Sequence, residues 1–299
     1  MNHHMEFIKY LLDKGGPDGD DYYDLDACIS EISHQAKNGS ISPKEIDQLR
    51  EAFGESFSIE TMQGFVFHKP HGYAGDFEII DRIYELYVSG ISHLSKWDEY
   101  MQNHAATEAV RNRARYFEKI VKKHAGEKQV SNVLNLASGP GRDMLRFYNN
   151  NPDTGVKFEC VDQDKNAIKY AKNLCKDHLS NIQFHVKNAV RFQSEKEYNL
   201  IWSAGLFDYF EDDVFILMLK KLRSMVSIGG EIVIGNFSTL NPSRPYMELF
   251  EWHLHHRSPH TLVALAKAAG FKKYQIQVNK EALGVNLFLH IYPGCIAEA

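Results

Sequence analysis

The sequence predicts an α/β fold: a mostly parallel sheet over the later two thirds of the chain, preceded by a helical N-terminal region. Three observations point there. Beyond about residue 130, short apolar runs alternate with stretches of helical period, the pattern of strands joined by crossover helices. The first run, Val133-Leu-Asn-Leu136, passes into a small glycine-bearing turn, Ser138-Gly-Pro-Gly141. A helical pattern with Met144, Leu145, Phe147 and Tyr148 follows at once. Residues 1 to about 110, in contrast, read as helices.

Taken in order, Leu25, Cys28, Ile29, Ile32 and Ala36 fall on one helical face, and Gly39 ends that helix. Ser42-Pro-Lys-Glu45 is a capping box with proline at the first helical position, and the helix it opens carries Ile46, Leu49 and Phe53. Phe67-His-Lys-Pro-His-Gly-Tyr-Ala-Gly-Asp76 reads as a glycine-rich loop between helices, or as a loop that touches a ligand. Asp76 is the expected N-cap of a helix bearing Phe77, Ile80, Ile83, Tyr84 and Tyr87. Residues 95–124 continue as helix, with Lys122, Lys123 and His124 suited to the dipole at its end.

In the sheet region, residues 156–162 are strand two, and Asp164 caps a helix with Ile168, Ala171, Leu174 and Cys175. Residues 182–186 and 198–203 are strands three and four. Asp212-Asp213 begin the next helix, and Gly229-Gly230 turn into strand five, residues 231–236. The loop Asn241-Pro-Ser-Arg-Pro245 precedes a stretch rich in aromatics and histidine, Tyr246 to Arg257. Residues 261–270 are helix. Residues 272–278 and 286–292 close the sheet as a hairpin with strand seven antiparallel.

Composition narrows the function classes. A chain of 299 residues exceeds one such sheet domain, leaving about 110 residues for a second region. Net charge is −5, whereas a wholesale nucleic-acid binder is more often basic. Arg111, Arg113, Arg115, Lys119, Lys122 and Lys123 cluster, but at helical spacing, as on a solvated face. Cys28, Cys160, Cys175 and Cys295 show no zinc or redox spacing, so reduced thiols in a cytoplasmic protein are expected. No apolar run reaches the length of a membrane span, and the N-terminus is not a signal peptide.

The turn then selects a ligand. A dinucleotide fingerprint needs glycine at 144, where Met144 stands. Asp143 would repel a pyrophosphate but suits a ligand with a cationic end. Asp162, 21 residues beyond Gly141, ends strand two, where a carboxylate can accept hydrogen bonds from both ribose hydroxyls. A cationic nucleoside without phosphate is S-adenosylmethionine (SAM). On these residues the chain resembles the class I SAM-dependent methyltransferases from about residue 109 to 293. The resemblance implies a Rossmann-like seven-stranded methyltransferase sheet in residues 109–299 and an N-terminal helical cap in residues 1–108, closing over the cofactor.

It also implies a cofactor site. Ala137, Ser138, Gly139, Gly141 and Asp143 would form the turn, with Asp162 and Gln163 after strand two. Asn188 and Ala189 would follow strand three, Ser203 and Gly205 strand four, and Tyr73 and Arg115 would complete the site. Related enzymes often hold an acid at the position of Asn188; its amide oxygen still accepts a hydrogen bond from adenine. Of Arg111, Arg113 and Arg115, one can reach the methionine carboxylate, a surface role being the alternative; Arg115 is the expected contact.

The segments His68 to Asp76, Asn241 to Arg244 and Trp252 to Arg257 narrow the resemblance to a bacterial subgroup that includes proteins of 3-hydroxypalmitic acid methyl ester biosynthesis. This implies a small-molecule acyl substrate methylated on its carboxylate. A carboxylate needs no base, whereas a hydroxyl or phenol does. The expected catalytic residues are His255, His256, Arg257 and Tyr209. Arg257 or Arg244 would hold the anion, and Trp252, Tyr246, Phe207 and Tyr209 would line an apolar channel. His71, His253, His255, His256 and Asp208 are the candidate bases if the acceptor is a hydroxyl. His253 and His256 stand three apart, but no acidic or cysteine partner matches them, and no metal is expected. A dimer is left open. The rival functions are base-assisted hydroxyl methylation, a protein or RNA methyltransferase, and a SAM-binding regulator without catalysis. Net acidity and the large cap argue against the macromolecular one.

Overall fold

The computed structural model describes residues 2–126 and 131–294. Helices α1 (Asn2–Asp13), α2 (Tyr22–Lys37), α3 (Pro43–Glu51), α4 (Met62–His68), α5 (Phe77–Tyr84), α6 (Ser92–Asn103) and α7 (Ala105–Gly126) come first. Then follow β1 (Ser131–Leu136), α8 (Arg142–Asn150), β2 (Val156–Asp162), α9 (Lys165–Leu174), β3 (Ile182–Val186) and β4 (Tyr198–Ser203). The chain continues through α10 (Asp212–Arg223), β5 (Val226–Phe237), α11 (Arg244–Leu249), α12 (Pro259–Ala268), β6 (Ile276–Lys280) and β7 (Asn286–Ile291). It divides into two compact units, Met1–Glu108 with Pro242–His253, and Ala109–Asn241 with Leu254–Ala299. The first unit therefore includes α11, a segment that lies within residues 109–299 by sequence order.

In the first unit local chemistry sets the helix starts. The Ser42 capping box opens α3, and the Asp76 carboxylate accepts from the N–H groups of Glu78 and Ile79, each at 2.9 Å. Phe53 packs edge-on against Trp97 and Phe250 at 5.6 and 5.5 Å between ring centres. Asp98 is fully buried and accepts from Met62 N–H and Ser89 N–H at 2.7 and 2.8 Å, so its oxygens are satisfied without water. In the glycine-rich loop, Lys69 takes the left-handed conformation that ends α4. His71 bonds Glu78 at 3.1 Å and packs on Phe77, which ties this candidate base to α5.

The second unit is one sheet in the order β3-β2-β1-β4-β5-β7-β6, with helices on both faces. The first five strands are parallel, and β7 runs antiparallel between β5 and β6. One face buries Leu134, Leu136, Phe207, Phe215 and Met218; the other buries Val133, Phe147, Phe158, Trp202 and Phe288. Such parallel strands are buried on both sides, which is why they read as continuous apolar runs. Two boundaries differ from the sequence reading. β5 starts at Val226 and contains Gly229-Gly230, because a register shift sets Tyr198 against Val226 but Leu200 against Glu231. Gly229, at φ +73°, takes the backbone through that bulge. At the hairpin, Lys273–Gln275 is a short 3₁₀ turn, so β6 starts only at Ile276.

A chain of polar groups fastens α7 to the far half of the sheet. Glu231 is fully buried in β5 and bonds His290 of β7 through Oε1 and His124 of α7 through Oε2, the latter at 2.8 Å. Asn279 Nδ2 donates to the Tyr116 hydroxyl at 3.1 Å, and that hydroxyl lies 2.7 Å from His290 Nε2. Cys28, Cys160 and Cys175 are buried free thiols; Cys295 lies outside the described residues. Among the described residues no helix is long and apolar enough to cross a membrane.

Candidate active site

The site starts where β1 ends. Past Leu136 the chain turns sharply: Ala137, Gly139 and Gly141 have φ of 53°, 56° and 76°. Ala137 holds a conformation that an L-residue adopts at a cost of about 1–3 kcal/mol, so the surroundings must enforce it. They do so through hydrogen bonds to the end of β2. Ala137 N–H donates to Val161 O at 2.7 Å, and Gly139 N–H donates to Asp162 Oδ2 at 2.9 Å. The two glycines serve different ends. A Cβ on Gly139 would meet nothing within 4 Å, so its backbone is open to a ligand. A Cβ on Gly141 would lie 3.1 Å from Met144 and 3.2 Å from Ala171, so this glycine lets α8 and α9 close together.

Asp162 is buried, and burial pushes its carboxyl above the usual range. Oδ2 takes the Gly139 N–H and Oδ1 the Asp164 N–H, also at 2.9 Å. A carboxylate offers about four lone-pair sites, so acceptor capacity remains for a ribose hydroxyl. Asp143, in the first turn of α8, accepts from Met144 N–H. Burial raises its carboxyl to about 6, against the pull of Arg113. Asn188 Nδ2 donates to Gln163 Oε1, and Asn188 Oδ1 accepts from Val190 N–H, each at 2.9 Å. Lys221 of α10 clasps the same loop by donating to Val190 O at 2.7 Å and Ala189 O at 3.3 Å.

Two expected contacts are placed differently. Ser203 is fully buried, and its hydroxyl donates to Leu136 O at 3.2 Å; it ties β4 to β1 instead of facing a ligand. Arg115 is exposed on α7 and bonds Asn112, because a residue two positions from Arg113 points to the opposite side of the helix. Arg113 occupies the inner position. It is 6% exposed, its guanidinium lies against Gly205, and its Nη1 donates to Ala204 O at 3.4 Å.

Beyond β4 the turn Phe207–Tyr209 carries Asp208, which is 1% exposed. Its Oδ1 accepts from Phe237 N–H at 2.6 Å, and burial raises its carboxyl to about 7 although Arg113 and Arg257 oppose the rise. Arg257 is itself buried. Its Nε and Nη2 donate to Asp212, its Nη1 to Phe207 O and Asn236 Oδ1, and its Nη2 also to Phe210 O. A guanidinium has five N–H donors, and all are engaged. The expectation that Arg257 holds a substrate anion is therefore corrected: it fixes the turn after β4. His256 Nδ1 lies 3.1 Å from Leu254 O and so carries the proton, while its Nε2 accepts from Asn241 Nδ2 at 3.1 Å. The His255 ring reaches Glu211 at 3.5 Å near the surface. Tyr209 is 40% exposed. Phe207 belongs to the sheet core, whereas Tyr246 and Trp252 are buried in the first unit, where Arg244 pairs with Glu248 nearer the surface. Tyr73 also lies in the first unit, half-buried in the glycine-rich loop.

Residues 133–230 match the family described as a methyltransferase domain. The matched residues all lie in the second unit. Its cofactor is S-adenosylmethionine. A curated relative, malonyl-[acyl-carrier protein] O-methyltransferase 1 of Ilyobacter polytropus, is 26% identical over 137 residues, covering 42% of this chain and 49% of its own. The chain thus spans about half the length of the curated relative it matches. Among solved structures, a Bordetella parapertussis protein superposes with a TM-score of 0.61 at 18% identity over 72% of this chain and 78% of that one. A candidate O-methyltransferase of Nostoc punctiforme gives 0.53 at 14% identity over 80% and 71%. These likenesses concern the fold.

Within the matched stretch, the turn brings together Ala137, Ser138, Gly139 and Asp143 with Asp162, while Gln163 joins Asn188 alongside. Sequence spacing missed Lys221 and Asn236, which act through backbone carbonyls and carry no signal of their own. Asn135 was passed over as a strand residue, yet it is 2% exposed with an unpartnered Nδ2 beside the turn. A buried carboxamide inside an apolar run was the available clue.

Proposed function

We propose that this protein transfers the methyl group of SAM to the carboxylate oxygen of a small acyl molecule. In-line displacement at a sulfonium methyl needs alignment and exclusion of water more than proton transfer. The observation that carries the carboxylate reading is the state of His256: both ring nitrogens are engaged, one as donor to Leu254 O and one as acceptor from Asn241. A carboxylate acceptor is already a nucleophile and has no use for a free imidazole. The relative that acts on malonyl-[acyl-carrier protein] supports the same reading, since a malonyl group ends in a carboxylate. Fatty acids, 3-hydroxylated ones included, are the substrates to try first.

One observation favours a second reading. His255 faces Glu211 at 3.5 Å, and a histidine backed by a carboxylate can accept the proton of a hydroxyl or phenol. Single-turnover methyl transfer from pH 5.5 to 9, with fatty acids and phenols, separates the two. An ester product and a rate flat above about pH 6 are expected, because a carboxylate acceptor stays ionised there. An ether product, with a rate that climbs through a histidine pKa near about 6.5 and is lost in His255→Ala, would replace the carboxylate reading with the base-assisted one.

A further inference from the structure

The loop after β3 holds its own backbone firmly. The main-chain carbonyl of Asn188 is taken twice, by Arg191 N–H at 3.0 Å and Phe192 N–H at 2.9 Å, and Lys221 takes the carbonyls of Ala189 and Val190. The Asn188 carboxamide is exposed, and its orientation is fixed. Val190 N–H can only donate, so it must face Oδ1 and not the amide nitrogen. Nδ2 then donates to Gln163 Oε1, across the ends of the neighbouring strands β2 and β3. Gln163 is exposed as well. An amide oxygen has two lone pairs and an amide nitrogen two N–H groups. After these bonds each of the two carboxamides still has an acceptor and a donor to offer, and neither carries charge.

We propose that Asn188 and Gln163 make the cofactor site permissive at position 6 of the purine, so that a 6-oxo nucleoside binds as well as the 6-amino one. The inference rests on the base lying against these two side chains, one of which directly follows Asp162. An amino group at position 6 donates, and it meets an amide oxygen. An oxo group accepts, and it meets an amide N–H. The ring nitrogen beside it changes at the same time from acceptor to donor, and the second carboxamide answers that change in the same way. Rejecting one of the two bases needs an acceptor-only or donor-only group at that edge, and a carboxamide is neither. The ligand class is therefore a purine nucleoside with a sulfur-bearing tail, adenine or hypoxanthine being its base.

The test is calorimetric titration of the full chain with S-adenosylhomocysteine and S-inosylhomocysteine, which differ only in the base. In the wild-type chain the two affinities should agree within about threefold, less than the weight of one neutral hydrogen bond. Asn188→Asp keeps an oxygen for Val190 N–H but makes the group acceptor-only and charged. It should open a gap of about tenfold or more by turning away the oxo form. If Asn188→Asp does not fold, Gln163→Glu places the same charge at the end of β2 and should open the same gap. A wild-type preference for S-adenosylhomocysteine of about tenfold or more overturns the proposal. So does a folded carboxylate variant with equal affinity for both, since the base then lies elsewhere. A wild-type chain that binds neither nucleoside removes the cofactor site and this inference with it, whereas one that binds S-adenosylhomocysteine alone removes only the inference.

Discussion

Asp162 and Asp208 are buried carboxylates of the same unit with different work. Asp162 keeps acceptor capacity open beside Gly139, and losing its charge-assisted bonding to ribose should lower SAM affinity by about 2–4 kcal/mol in Asp162→Ala, read by calorimetry. Asp208 is held by Phe237 N–H, and burial raises its carboxyl from 3.8 to about 7. Between those values the folded chain binds more protons at this group than the unfolded one. Its contribution to stability therefore falls as pH rises through the window, and the full cost is present above about pH 7. Asp208→Asn keeps an oxygen for Phe237 N–H and should raise the melting temperature at pH 8, with the gain fading toward pH 4. A gain of equal size at both ends would show that ionisation is not the cause. Residue roles of this kind were only partly legible. Asp162 announced itself because it ends an apolar run. Arg113 and Arg115 differ by burial, which depends on helix phase: Arg113 shares the apolar stripe of Val110, Phe117 and Val121, and reading that stripe before choosing would have selected it.

Elements are held by residues whose polar groups are engaged within the protein. Arg257 binds the carbonyls of Phe207 and Phe210, the Asn236 amide and the first residue of α10, so the link from β4 to α10 has one fixed course. Arg257→Met leaves buried acceptors unmatched and should cost about 2–4 kcal/mol in urea unfolding, most of it from those acceptors because Asp212 is largely exposed. SAM affinity measured below the unfolding range should be retained; its loss would return Arg257 to the binding site. Helix starts were plain in the sequence because caps are local: Ser42, Asp76 and Asp164 each bond N–H groups two or three residues on. Arg257 was misread because an arginine among aromatics looks alike whether it awaits an anion or is already surrounded. Gly229-Gly230 misled for another reason, since a bulge inside a strand and a turn before it call for the same residue type.

At the scale of the whole molecule, the sheet depends on contacts between distant parts of the chain. Glu231 joins β5, β7 and α7 through His290 and His124. Burial disfavours its charge, but those two bonds, with Lys123, hold its carboxyl well below the usual range. That stability is present above the unfolded value of about 4.5 and is lost as pH falls below it. Glu231→Gln should cost about 3–5 kcal/mol at pH 7, with the gap from wild type narrowing in acid; a pH-independent gap would reduce the network to packing. The strand succession and the antiparallel end were legible in the alternating pattern, whereas the grouping of Pro242–His253 with the first unit was not, because no local signal marks a segment's distant neighbours. The position of β7 also sets a timetable. The strand inserts between β5 and β6, and it is the last described strand to be synthesised. Until it leaves the ribosome, β5 shows an unpaired edge from Ile232 to Phe237 and β6 has no sheet to join. At roughly 5–20 residues per second that edge stays open for seconds, long enough for a chaperone or another nascent chain to pair with it. A nascent chain stalled just short of β7 should thus be far more sensitive to protease than one stalled after β7 has emerged.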